Sequence, residues 1–191
     1  LSFDFLKGRL FNRLKRIEHE SLIKKAIGKN KAKLKIFDAT AGSLIDTIIF
    51  LKLGHKVVAC EQSKILIKLL KDAIERAKEE YSFFKNLVLI NEDAANVIEL
   101  HQDSDIFYFD PMFNNTKRNI KRSGTLNKIS NILSHEKLED TSEDIFNYMQ
   151  TSNYKKIIVK RPIKSKPLQE KINYQVKGKA IRFDIYVKNI Y

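Results

Sequence analysis

The 191-residue sequence has only one cysteine, three prolines and six glycines, and it has no tryptophan. A single thiol, Cys60, excludes an intrachain disulfide framework and fits a reducing compartment, so we predict a cytoplasmic protein. No stretch approaches about 18 consecutive apolar residues, and no membrane span is predicted. The four histidines are scattered and show no metal-ligand spacing with the cysteine, so no metal site is predicted either.

The beginning of the sequence also lacks the features of a signal peptide, because no basic stretch leads into a long apolar run. The first residue is Leu1 and not methionine, and we expect the sequence to start inside a longer chain. With 43% apolar and 31% charged residues, its length suits one globular domain with a sizeable core.

Positive charge is abundant, since 36 lysines and arginines against 23 acidic residues give a net charge of +13. Such a charge attracts polyanions, and nucleic acid is the first candidate, although an AT-rich coding genome would also enrich lysine. The basic residues cluster near the N-terminus (Lys7, Arg9, Arg13, Lys15, Arg16, Lys24, Lys25), at Lys117, Arg118, Lys121 and Arg122, and at Lys160, Arg161, Lys164 and Lys166.

Strand-like and helical patterns alternate along most of the sequence. Strands are predicted at 2–6, 35–38, 56–60, 87–90, 106–109 and 156–159, and helical segments at 9–27, 44–53, 63–80, 94–101 and over most of 117–152. Two further strands, 174–177 and 181–187, form a hairpin with Gly178 at its turn. This order predicts an α/β fold: a doubly wound, mostly parallel sheet with helices on both faces and a C-terminal antiparallel hairpin. We expect residues 1–34 to be an extension packed on a domain formed by residues 35–191.

Ligands of such sheets bind at the carboxyl ends of the strands. Asp38 ends the first strand of the domain, and Gly42 lies in the turn that follows, where a small residue lets a ligand approach the backbone. Ser43 and Asp46 have the spacing of a capping box, so the turn is equally consistent with an ordinary helix start.

Acidic residues follow the next two strands. Glu61 comes 23 positions (61 − 38) after Asp38, the separation at which an acid hydrogen-bonds the ribose of a nucleoside cofactor. We favour this role for Glu61 over that of an acid at the start of the helix near Ser63. Asp93 follows the third strand, where it could accept from an adenine amino group or cap the helix that begins at Ala94. The sequence does not decide between these two roles of Asp93.

The fourth strand ends in Asp-Pro-Met-Phe, residues 110–113. Pro111 has no backbone donor and ends the strand, but its carbonyl can accept a hydrogen bond beside the carboxylate of Asp110. Phe113 offers a flat face for stacking. Two acceptors and a ring suit a planar base that carries an exocyclic amino group, while an ordinary turn with a buried Phe113 is the structural alternative.

Taken together, these motifs resemble a class I S-adenosylmethionine-dependent methyltransferase. The stretches DATAG (38–42), DPMF (110–113), VKRP (159–162) and KGKAIRFDIY (177–186) are similar to the ribosomal small subunit methyltransferase J family, which methylates N2 of a guanine in 16S rRNA. The similarity extends over nearly the whole chain. The sequence departs from the family pattern at Leu44 and Ile45, where the family has glycine and arginine, and this predicts weaker or displaced cofactor binding.

The resemblance implies a cytoplasmic rRNA (guanine-N2) methyltransferase whose cofactor is S-adenosylmethionine and whose partner is 16S rRNA or the small subunit. We predict catalytic roles for Asp110, Pro111 and Phe113, and RNA contacts at Lys117, Arg118, Lys121, Arg122, Lys160 and Arg161. The predicted cofactor-binding residues are Asp38, Ala39, Gly42, Ile45, Asp46, Glu61, Gln62, Asp93, Ala94 and Asp110. An adenine-N6 methyltransferase and a non-enzymatic RNA-binding relative remain alternatives, whereas the missing three-glycine turn argues against an NAD-dependent oxidoreductase.

Overall fold

The computed structural model describes residues 1–29, 32–111 and 124–188. Its strands are β1 (Lys35–Asp38), β2 (Lys56–Cys60), β3 (Leu87–Ile90), β4 (Ile106–Phe109), β5 (Lys156–Pro162), β6 (Tyr174–Lys177) and β7 (Ile181–Val187). Its helices are α1 (Gly8–Lys15), α2 (Ser21–Ile27), α3 (Ile45–Lys52), α4 (Lys64–Ala77), α5 (Ala94–Val97), α6 (Gly124–His135) and α7 (Ser142–Thr151). Short 3₁₀ helices lie at Ile17–His19, Ser82–Asn86 and Ile98–His101.

The strands form one sheet in the order β3-β2-β1-β4-β5-β7-β6. Strands β1 to β5 are parallel, and β7 pairs antiparallel with both β5 and β6. The predicted α/β fold with its C-terminal hairpin is therefore confirmed. Because β2 and β4 lie on opposite sides of β1, the chain reverses its direction of winding there, and a crevice for a ligand opens at this point in doubly wound sheets.

Helices cover both faces of the sheet. Because successive side chains of a strand point to opposite faces, the strands contribute to two hydrophobic cores. One core contains Ile36, Tyr108 and Ile185 and is closed by α1 to α4 and by Ile129 of α6. The opposite core contains Phe37 and residues of α5 and α7. In β7, Ile181, Phe183, Ile185 and Val187 face the first core. Arg182 and Asp184 form a buried ion pair of 2.7 Å that belongs to the framework of the fold.

The N-terminal segment packs on the first core, although the strand predicted at 2–6 is wrong. These residues belong to no strand. The alternating apolar pattern reflects the burial of Phe3 and Phe5 in the first core and not a strand. The predicted helical segment is confirmed as two helices, α1 and α2. Helix α2 ends at Ile27, and its C-cap Gly28 has a φ of 105°. Within the part of the chain that the structure describes, no helix is both long and apolar enough to cross a membrane.

Candidate active site

A cleft of about 920 Å³ opens at the carboxyl ends of β1, β2 and β4, beside α6 and the start of α1. Its volume lies at the upper end of the usual range for small-molecule sites, about 300–1,000 Å³. The cleft brings together the described residues that the sequence predicts to bind cofactor or to act in catalysis. These are Asp38, Ala39, Gly42, Ile45, Asp46, Glu61, Gln62, Asp93, Ala94, Asp110 and Pro111.

Asp38 supports the turn that follows β1. Its carboxylate accepts from the backbone N–H of Thr40 at 3.0 Å and from the hydroxyl of Thr47 in α3. Burial raises the pKa of Asp38 to about 7, against the effect of these two donors. The side chain is 2% exposed, and its two hydrogen bonds link the turn after β1 to α3.

The capping box predicted from Ser43 and Asp46 is wrong. Helix α3 begins at Ile45 with Leu44 as its N-cap and without a side-chain cap, and the carboxylate of Asp46 bonds to other elements of the site. Leu44 has a φ of 61°, in the left-handed region that costs a branched side chain about 1–2 kcal/mol. Its side chain is completely buried in the first core.

This geometry changes the expectation for Leu44. The family glycine and Leu44 are compatible with the same positive φ, and the leucine side chain points into the core and not into the cleft. The bulk at this position is therefore no obstacle to a ligand in the turn. Ile45, by contrast, is 39% exposed and lines the cleft, so the cation that the family carries there is absent at the surface of the site.

Glu61 connects the ends of β1 and β2. Its two carboxylate oxygens accept from the N–H of Gly42 at 3.0 Å and from the N–H of Ser63 at 2.9 Å. The side chain is buried, and burial raises its pKa to about 7. An ionised carboxylate offers about four acceptor positions, so Glu61 retains capacity for ligand hydroxyl groups.

Asp93 caps helix α5, because its Oδ1 accepts from the N–H of Ala95 at 2.9 Å. Of the two roles left open by the sequence, the structure thus shows the cap. The same residue lines the cleft, so binding of a base amino group stays a prediction. The neighbouring loop is held by Asn91, whose amide donates to the carbonyls of Glu61 and Gln62 at 2.9 and 3.1 Å.

Asp110 lies at the centre of a cluster of charged and polar groups. Its backbone N–H donates to the Thr40 hydroxyl at 2.7 Å, which ties the end of β4 to the turn after β1. The ammonium of Lys160 donates to Oδ2 of Asp110 and to Oδ2 of Asp46, each at 2.7 Å. The hydroxyl of Tyr108 also donates to Asp46, at 2.6 Å.

The protonation preferences of this cluster follow from burial and from the central ammonium. Burial raises the pKa of Asp110, as does the charge of Asp46, while Lys160 opposes the shift. For Asp46, burial is outweighed by Lys160 and the Tyr108 hydroxyl, so its pKa is lowered. The two carboxylates raise the pKa of Lys160 despite its burial. The cluster therefore holds a lysine cation between two acids.

The predicted RNA contacts are only partly described. Phe113, Lys117, Arg118, Lys121 and Arg122 lie outside the described residues. Lys160 lines the cleft, with its ammonium bound to the two carboxylates. Arg161, also predicted to contact RNA, is 6% exposed and donates to the carbonyl of Lys166. Its side chain lies on the face of β5 opposite to that of Lys160.

Several residues of the site were missed by sequence reasoning. Thr40 lies within the DATAG stretch and Tyr108 within β4, but neither was predicted as a residue of the site. Glu136, just after α6, accepts from the hydroxyl of Ser63 and from the N–H of Ile65 at 3.2 Å, and so holds the end of α6 against the start of α4. Arg9 and Arg13 of α1 also line the cleft. The basic N-terminal cluster was the available signal for these two.

No group of three or more His, Cys, Asp or Glu side chains placed to hold a metal occurs among residues 1–29, 32–111 and 124–188. Cys60 is buried beneath the cleft, and burial raises the pKa of its thiol to about 12, so it is not a reactive thiolate.

Comparisons with known proteins agree on one family. A family model described as "Putative SAM-dependent methyltransferase" matches residues 1–188. The chain is 33% identical to ribosomal RNA small subunit methyltransferase J of Francisella tularensis subsp. novicida, over 97% of this chain and 79% of the relative. It is 28% identical to the protein of the same name from Bdellovibrio bacteriovorus, over 98% of this chain and 74% of the relative.

Solved structures give the same result for the fold. A SAM-dependent methyltransferase from Neisseria gonorrhoeae superposes with a TM-score of 0.71 at 26% identity, over 98% of this chain and 74% of that one. A protein described as a "putative methylase" from Haemophilus influenzae superposes with a TM-score of 0.55 at 16% identity, over 97% of this chain and 95% of that one, and supports the fold alone.

Proposed function

The chain belongs to this family of SAM-dependent methyltransferases, and we propose that its methyl acceptor is the exocyclic N2 amine of a guanine in 16S rRNA. The observation that carries the proposal is the position of Asp110 and Pro111 in the same cleft as the Gly42 turn and Glu61. An amine acceptor site and a nucleoside site therefore share one cavity, as transfer between two bound molecules requires. The names of the relatives support ribosomal RNA as the substrate.

The cleft fits the cofactor of the family, S-adenosylmethionine. Gly42 has a φ of 51° and presents its backbone to the cleft without a side chain. The buried Glu61 carboxylate has acceptor positions left for ribose hydroxyls, and Asp93 lies at the end of the next strand. When bound, the cofactor supplies an electrophilic sulfonium methyl group.

In the proposed mechanism, Asp110 and the Pro111 carbonyl accept the two N–H bonds of the target amine. The nitrogen lone pair of guanine N2 is delocalised into the ring, and these acceptors favour the pyramidal geometry in which the pair is free to attack. Most of the rate enhancement then comes from positioning and electrostatics. Asp110 is also placed to accept the proton that the nitrogen must lose after transfer. Phe113 is proposed to stack on the base, which has to leave its neighbours to enter the cleft.

Contacts to the RNA backbone are proposed at basic residues around the cleft. Arg9 is exposed and lines the cleft from α1, which makes it a candidate for a phosphate contact. Lys117, Arg118, Lys121 and Arg122 remain proposed contacts on sequence grounds. Such contacts orient the RNA, while the cleft selects the base. We place this activity in the cytoplasm, on 16S rRNA or the small ribosomal subunit.

The test is methyl incorporation from labelled S-adenosylmethionine into small subunits that lack the modification, followed by identification of the methylated nucleoside. We expect N2-methylguanosine. Recovery of N6-methyladenosine would instead identify an adenine methyltransferase that uses the same acceptor pair. Cofactor binding by calorimetry without any transfer to RNA would identify a non-catalytic relative.

A further inference from the structure

Lys160 occupies a position that a residue contacting RNA phosphate would not take. Its ammonium is bound by Asp46 of α3 and by Asp110 after β4, at 2.7 Å from an oxygen of each. The side chain of Lys160 is 23% exposed, compared with 36% for Asp110 and 12% for Asp46. The cation is thus enclosed beneath Asp110 and not presented to solvent at the rim.

The strand register explains why these side chains meet. Phe109 and Val159 are partners in the parallel pairing of β4 with β5. The next residues along the two strands, Asp110 and Lys160, therefore lie side by side and point to the same face of the sheet. Helix α3 packs on that face and places Asp46 on the other side of the ammonium.

We propose that Lys160 is a positioning residue for methyl transfer, which holds Asp110 ionised and takes its Oδ2 so that Oδ1 is left to accept the amine of the target base. This inference rests on the proposed function of Asp110. An ionised carboxylate accepts hydrogen bonds only, whereas a protonated one also donates and would turn a proton toward the amine hydrogens. A single fixed acceptor oxygen also restricts the orientation in which the amine can bind.

Most of the titratable groups around Asp110 are acidic. Among the described residues it is approached by Asp46 from α3, Asp38 from β1, Tyr108 from β4 and Lys160 from β5. Arg13 of α1 acts on Asp46 and is itself bound to Glu20 at 2.7 Å. Burial and the neighbouring acids favour the protonated form of Asp110, and Lys160 opposes them by direct contact.

The variant that tests this is Lys160→Met, which keeps the length of the side chain and removes its charge. We expect kcat at pH 7 to fall about tenfold or more, and the acid limb of kcat against pH to move up by about one unit, because loss of the cation raises the pKa of Asp110. Lys160→Arg keeps the positive charge and should restore part of kcat and part of the shift of the acid limb.

The matched control is Lys155→Met, which removes the 2.8 Å pair between Lys155 and Asp105, just before the start of β5. We expect that control to behave like the wild-type protein.

A phosphate contact would give a different result. In that case Lys160→Met would raise KM for the RNA, with kcat and the acid limb unchanged, and the inference would be overturned. An unchanged profile in every parameter would overturn it as well. If Lys160→Met does not fold, Lys160→Gln keeps a hydrogen-bonding group without charge and should show the same shift.

A second measurement separates this inference from the proposed function. Titration of ¹³C-labelled aspartate carboxylates by NMR, assigned with Asp110→Asn, follows the protonation of Asp110 without substrate. A higher pKa in Lys160→Met supports the electrostatic role even if the wild-type protein methylates another base. An unchanged pKa in a protein that does form N2-methylguanosine overturns the role of Lys160 and leaves the proposed function standing.

Discussion

The backbone N–H of Gly42 donates a 3.0 Å hydrogen bond to Oε2 of Glu61. This bond joins the turn after β1 to the end of β2, the two parts of the chain that the sequence predicts to hold a nucleoside cofactor. Because Ser63 donates to the other oxygen at 2.9 Å, the carboxylate is held in place before any ligand binds. Preorganisation of this kind reduces the entropy lost on binding.

Replacement of this carboxylate by an amide, Glu61→Gln, should weaken S-adenosylmethionine binding about 10- to 100-fold, since a hydrogen bond to a charged group is worth about 1.5–3 kcal/mol. Calorimetric titration of the cofactor measures the loss. Asp93→Asn is a useful comparison, because it alters the acid at the next strand end. An unchanged dissociation constant in Glu61→Gln would exclude the ribose role.

The affinity for the cofactor should also depend on pH. The pKa of Glu61 is raised to about 7 by burial, and hydroxyl donors of a ligand favour its ionised form. Binding should therefore tighten as the pH rises through about 7 and should release protons near that pH, which calorimetry in buffers of different ionisation enthalpy detects. In Glu61→Gln the pH dependence of cofactor affinity should become weaker. Any pH dependence that remains is assigned to Asp38, whose pKa is also raised to about 7 by burial.

Removal of the proposed acceptor at the end of β4, Asp110→Ala, should lower methyl transfer by a factor on the order of 10²–10³ or more, as expected for loss of a group aimed at the reacting atoms. Cofactor binding should change little, because the turn after β1 and Glu61 remain in place. Steady-state transfer assays and calorimetry on the same preparation measure the two effects. Wild-type turnover in this variant would rule out the acceptor role.

Substitution of Leu44 compares the effects of backbone strain and of side-chain burial on stability. Leu44→Gly should lower the free energy of unfolding by about 2–4 kcal/mol, because the loss of a fully buried leucine outweighs the relief of a positive φ. Cofactor affinity should stay near the wild-type value, since the side chain lies in the core.

Lys137 is the matched control for this strain. It has a φ of 53° and is exposed at the end of α6, where Leu138 N–H donates to the Leu133 carbonyl at 3.2 Å, the pattern of a Schellman motif. With no buried side chain to lose, Lys137→Gly should raise stability by up to about 1 kcal/mol. Chemical denaturation measures both variants. A gain in stability at Leu44→Gly would show that strain and not burial dominates there.

Arg9, which lines the cleft from α1, should contribute to RNA binding and not to the transfer step. Arg9→Ala should weaken RNA binding and make it less dependent on salt concentration, because one phosphate contact fewer releases fewer counterions. Lys7→Ala is the control, since Lys7 is an exposed cation of the same segment whose nearest acid, Asp4, is 4.0 Å away. Equal effects of the two variants would indicate attraction by the overall charge and not a contact at Arg9.

The sequence by itself determined the fold of this protein and the ends of β1 to β4, although β5 extends to Pro162 and not to the predicted 159. Apolar runs that alternate between strand and helix periods leave few topologies open, because parallel strands need covered crossovers. An acid that ends a buried parallel strand, or follows it within about three residues, lies at the carboxyl edge of the sheet. For this reason Asp38, Glu61, Asp93 and Asp110 could be assigned to one site without coordinates.

Only the tertiary structure decided how those residues are used. Lys160 stands 50 positions from Asp110 (160 − 110), and their contact depends on the register of β4 with β5, which no local pattern encodes. Leu44 has a positive φ and a side chain that is buried in the first core. Asp46 accepts from Tyr108 and Lys160 and does not cap α3. Side-chain pairing across strands is set by packing of the whole sheet, and so it becomes visible only when the sheet is assembled.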